Sequence, residues 1–84
     1  MNSDPGLRQM KAEQWFISKL RAIAPEKAVR VFSGTTDISI RAKRAAALIA
    51  SEGLTDTVCG KTAGQPVTFA QAHERLYGHT LKIV

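Results

Sequence analysis

Residues 34–53 read GTTDISIRAKRAAALIASEG, and how this stretch folds decides the class of the whole chain. Thr36 or Asp37 can cap a helix by accepting a bond from a free N–H of its first turn, and the alanine-rich middle is a strong helix former. Gly53 supplies the left-handed stop. Ile38, Ala45, Leu48 and Ile49 give this helix a buried side, while Arg41 and Arg44 stand three apart on one face with Lys43 nearby. That is the densest basic cluster in the chain.

Working outward, 35–53 is flanked by other helix-compatible segments. Asp4 followed by Pro5 reads as a helix start, and the segment to about Ala24 is helix-compatible until Pro25 interrupts it. At about 100° per residue, Ala12, Phe16, Leu20 and Ile23 form an apolar stripe. Met10 and Ile17 lie to one side of it, Trp15 and Ala22 to the other. The segment APEKAVRVFSG carries Pro at a start position and Gly34 just past an end, which favours a short helix. Val29 and Val31 alternating with Arg30 would also suit a strand, but positional signals outweigh a propensity.

After Gly53, few large apolar residues occur before Pro66, and Gly60 and Gly64 break the run. The reading is a loop, or at most a small hairpin across Thr57, Val58 and Val67. Thr68 followed by Gln71 is a capping box that opens a helix through FAQAHERLYG, closed by Gly78, with Phe69, Ala72 and Leu76 turned inward. The tail HTLKIV alternates well enough for a terminal strand. The fold expected is mainly α, a compact bundle of three to four short helices with room for a small β-hairpin or terminal strand, and α+β is the runner-up. With 84 residues and no linker, residues 1–84 form one domain with a modest core.

VCGKT, at 58–62, resembles the end of a phosphate-binding loop only superficially. G-x-x-x-x-G-K-[ST] needs a first glycine at position 55, which is Thr55, and Gly53 is two residues out of register. The next residues, AGQP, stop a helix instead of starting one. Cys59, His73 and His79 have no spacing characteristic of a zinc site, and Cys59 lacks an identifiable base and oxyanion donor, so neither metal nor nucleophilic chemistry is expected. No cofactor and no small-molecule substrate is implied. The single cysteine fits a reducing compartment. No run nears the roughly 18 to 20 apolar residues of a membrane span, and the first residues lack a signal-peptide core, so the expectation is a cytoplasmic protein without a membrane partner.

Twelve Lys and Arg against seven Asp and Glu give a formal net charge of +5. Such an excess suits a polyanionic partner, although exposed helix faces are also commonly charged. The expectation is a non-enzymatic binding protein for nucleic acid, contacting phosphates through Arg41, Lys43, Arg44 and Lys61, with Arg8, Lys11 and Lys19 extending the basic set. A homodimer joined through the first helix is compatible with this. Residues 45–61 have the crude outline of a helix-turn-helix, but Cys59 and Gly60 leave a recognition helix of only about one turn. The alternative is an adaptor or inhibitor that engages a protein through Trp15, Ala22 and Leu7 on an apolar flank of the first helix, tryptophan being a favoured interface anchor. An assembly subunit is a third, minor reading.

Overall fold

The computed structural model describes residues 5–78. Four helices and one antiparallel hairpin run in the order α1 (Pro5–Ile23), α2 (Pro25–Phe32), α3 (Ile38–Ser51), β1 (Val58–Thr62), β2 (Gln65–Thr68) and α4 (Phe69–Tyr77). The mainly helical architecture with a small hairpin is the one expected. Asp4 and the tail HTLKIV, expected to serve as a cap and a terminal strand, lie outside the described residues.

Each boundary has a local cause. Ala24 still donates to the Leu20 carbonyl at 2.8 Å, but Pro25 has no N–H with which to continue, so the chain turns and α2 begins on that proline. The segment from 25 to 32 is helical despite its β-branched residues, because proline and Gly34 (φ 74°) punctuate it. Asp37 caps α3, its carboxylate accepting from Ile40 N at 3.2 Å. Gly53 (φ 68°) ends that helix, and Leu54 N closes back on the Ile49 carbonyl at 2.9 Å. At α4 both halves of the Thr68–Gln71 capping box are present, and Gly78 takes the left-handed C-terminal position.

The core joins Phe16 and Leu20 of α1, Val31 of α2, Ile49 of α3, Val67 of β2 and Phe69 of α4. Phe16 and Phe69 meet edge to face, 6.0 Å between ring centres. Ala28, Ala42 and Ala45 are fully covered, small enough to let α2 and α3 approach their neighbours closely. The inward row of α1 differs from the expected stripe: Phe16, Ile17 and Leu20 are buried, but Ala12 and Ile23 are exposed and Glu13 takes the inward place.

VCGKT, expected as loop before hairpin, is strand β1. It pairs with β2 from Val58↔Thr68 to Thr62↔Gln65, with an irregularity between Val58 and Gly60 that leaves Cys59 unpaired and buried. The turn places both Ala63 (φ 52°) and Gly64 (φ 78°) in the left-handed region, the conformation a two-residue hairpin connection requires. Gly60 is glycine for a different reason. A Cβ there would lie 3.2 Å from Lys19 Cε and 3.3 Å from Trp15 Cζ2, so α1 rests directly on the strand's backbone.

Candidate functional site

The α2–α3 connection gathers arginines. Long side chains in a helix lean toward its N-terminus, so Arg41 and Arg44 reach back over the turn that precedes α3. Arg41 Nε donates to the Thr35 carbonyl at 2.9 Å, and its guanidinium carbon lies 4.8 Å from the centre of the Phe32 ring. Arg44 Nη1 donates to the Ser33 carbonyl at 2.5 Å. From the last turn of α1, Arg21 reaches the same Phe32 ring at 5.2 Å. Phe32 is thus shared by two guanidinium groups from two helices, an arrangement favoured by the negative faces of the ring.

Among the described residues, no carboxylate pairs with these arginines. Among the described residues one ion pair is present, Lys27 with Glu52 at 3.2 Å, and Asp37 is engaged with its helix cap. Arg21, Pro25, Val29, Phe32, Ser33 and Arg41 line an open groove of 600 Å³ where α1, α2 and α3 meet. Arg44 lies beside a second groove of 340 Å³ that also includes Arg30.

The expected basic residues therefore divide. Arg41 and Arg44 come together, but each also spends a hydrogen bond on pinning the 33–35 turn. Lys43 is exposed and, at about 100° per residue, points well away from both. Lys61 lies on the hairpin, in a different cleft. Arg21 and Phe32 were not among the residues singled out from the sequence. The only local hint was their position, each in the last turn before a break, at Pro25 and at Gly34.

Trp15, Ala22 and Leu7 also separate. Trp15 is half-buried, pressed on Gly60 with Lys19 Nζ 5.4 Å from its ring centre. Its remaining surface opens into a 470 Å³ cleft bounded by Ala12 and Phe16 of α1, Lys61 to Ala63 and Val67 of the hairpin, and Ala72, Arg75 and Leu76 of α4. Leu7 and Ala22 are exposed and lie outside that cleft.

A third cluster joins α1 to α4. Tyr77 Oη donates to Glu13 Oε2 at 2.6 Å, and His73 packs 4.8 Å from the Tyr77 ring. Burial, then the hydrogen bond and the charge of Glu13, hold the Tyr77 phenol well above its ordinary pKa. Burial also pushes the Cys59 thiol up, opposed in part by a backbone hydrogen bond and by Lys19. Among the described residues no three His, Cys, Asp or Glu side chains converge as metal ligands. The start of α4 is likewise occupied, since Phe69 N and Ala70 N donate to the Thr57 and Thr55 carbonyls. No described helix is long and apolar enough to cross a membrane. Comparison with protein-family models, curated proteins and solved structures finds no match to this chain.

Proposed function

We propose that this chain is a small, basic, non-enzymatic binding protein that engages nucleic acid through its phosphates. The observation that carries the reading is the gathering of Arg21, Arg41 and Arg44 at the α1–α2–α3 junction, with no carboxylate partner among the described residues. Guanidinium groups held in place by a ring and by carbonyls retain their charge, and a polyanion that meets them releases its counterions. Lys43 and Lys61 are outlying contacts in this reading, on surfaces turned away from the groove.

Binding to a mixed-sequence oligonucleotide, followed across a salt series, tests the proposal. Affinity should fall steeply with salt, and the triple change Arg21→Gln, Lys43→Gln, Arg44→Gln should flatten the log–log slope by about 2 to 3, one increment of roughly 0.7 to 0.9 per lost phosphate contact. An unchanged slope in a variant that still melts cooperatively refutes it. Arg41 is left intact in this test so that one of the two arginine bonds to the 33–35 turn remains when the bond from Arg44 to the Ser33 carbonyl is lost.

The Trp15 cleft supports a second reading, an adaptor or inhibitor whose partner inserts an apolar side chain beside the indole. Ala63→Glu, at the exposed rim of that cleft, would then abolish partner capture without altering nucleic-acid affinity. Equal capture by the variant and the parent chain would remove this reading.

A further inference from the structure

We propose that the groove between α1, α2 and α3 is a nucleotide subsite, in which Arg21 and Arg41 grip one phosphate beside Phe32; the proposal rests on the nucleic-acid reading and names where that reading acts. Both guanidinium carbons lie within 5.2 Å of one ring centre, and both arginines line the same groove. An anion in that groove faces both charges. Among the described residues no carboxylate forms an ion pair with either arginine. Glu13 on α1 is bonded to Tyr77, Asp37 caps α3 and Glu52 pairs with Lys27, while Glu26 on α2 takes part in no ion pair among the described residues.

The donors are also prepared for oxygen. Arg41 spends Nε on the Thr35 carbonyl, which fixes the side chain and leaves its terminal amino groups for a ligand. Ser33 lines the same groove and brings a hydroxyl. The planar fork of arginine matches the oxygens of a phosphate two at a time, which a lysine surface does not. Pro25 and Val29 complete the groove with apolar surface, Val29 being 62% exposed, so the cavity offers a shelf for a sugar or base beside the phosphate grip. Phosphate plus an apolar shelf describes a nucleotide unit, whether one residue of a strand or a free mononucleotide.

Isotope-labelled full-length chain can be titrated with adenosine monophosphate and, separately, with adenosine, following the Nε–Hε signals of Arg21 and Arg41. In parallel, the affinity for a dye-labelled oligothymidylate is measured. Both arginine signals should move together and saturate with the monophosphate but not with adenosine, and Arg21→Gln should weaken monophosphate and strand binding alike by about tenfold or more, as expected for loss of a charge-assisted bond. Arg75→Gln, in the distant Trp15 cleft, should leave both unchanged. Signals that stay put or drift without saturating overturn the subsite, as does equal weakening by Arg75→Gln. Saturation by the monophosphate without strand binding supports the subsite and removes the nucleic-acid reading. Strand binding that Arg21→Gln leaves intact does the reverse.

Discussion

Replacing Tyr77 by Phe should cost the fold about 2 kcal/mol, because a hydrogen bond to a charged, buried acceptor is worth roughly 1.5 to 3. The acceptor is the Glu13 carboxylate, in a residue only 6% exposed, and the 2.6 Å bond ties the first described helix to the last. In a chain of this size each kcal/mol moves the melting temperature by about 4 to 8 °C, so a drop of roughly 10 °C is expected by circular dichroism. A cycle with Glu13→Gln isolates the coupling from the loss of the hydroxyl itself. The pH dependence gives a second reading of the same contact. An unfolded tyrosine loses its proton near pH 10, whereas Tyr77 in the fold holds its proton to higher pH. The folded pKa is raised, so the contribution is complete below about pH 10 and is lost as pH climbs from there toward the folded value, with a slope of at most about 1.4 kcal/mol per unit. Tyr77→Phe should lack that alkaline decline when urea unfolding is repeated between about pH 8 and 11. Parallel curves for the two proteins, or a coupling below about 0.5 kcal/mol, would refute the assignment.

Gly60→Val should destabilise by about 1 to 3 kcal/mol, since Lys19 can swing aside but the packed Trp15 indole cannot; a shift in tryptophan emission accompanying the loss in urea would localise it. Gly60→Ala should cost less, because restricting the unfolded chain returns about 0.4 to 1 kcal/mol. Cys59, buried and with its thiol pushed up, should react with a disulfide reagent at neutral pH far more slowly than in the urea-unfolded chain, and comparable rates would place it at the surface. Ala63→Asn should raise stability by about 0.5 to 1 kcal/mol in urea, asparagine tolerating the left-handed backbone that strains alanine.

What was legible in the sequence was punctuation. Asp37, Gly53, the Thr68–Gln71 box and Gly78 act through bonds to residues three to five positions away, so their meaning is local, and each stands where it was expected. Pro25 and Gly34 likewise outweighed Val29 and Val31 in deciding for a helix. β1 was harder to read because its one buried side chain, Cys59, coincides with the irregular pairing, which erases the alternation that announces a strand. Glu13 on the inward row of α1 depends on a tyrosine 64 positions away, a partner that helical periodicity cannot reveal. The basic face was only half legible. Its charge could be counted, and the lean of Arg41 and Arg44 onto the preceding turn is local, but the arrival of Arg21 at Phe32 comes from the packing of α1 against α2 and α3.

The bond from Phe69 N to the Thr57 carbonyl, 3.1 Å long, brings the two feet of the β-ribbon together beneath it. Everything between those residues is a closed excursion whose ends are already joined, so lengthening it at the tip costs the left-handed Ala63–Gly64 turn and loop entropy of about 0.6 kcal/mol for each doubling, while the α1–α2–α3 junction lies outside the excursion. The tip is consequently the natural port of this molecule, where a peptide tag or a reporter can be grafted while the arginine groove keeps its shape.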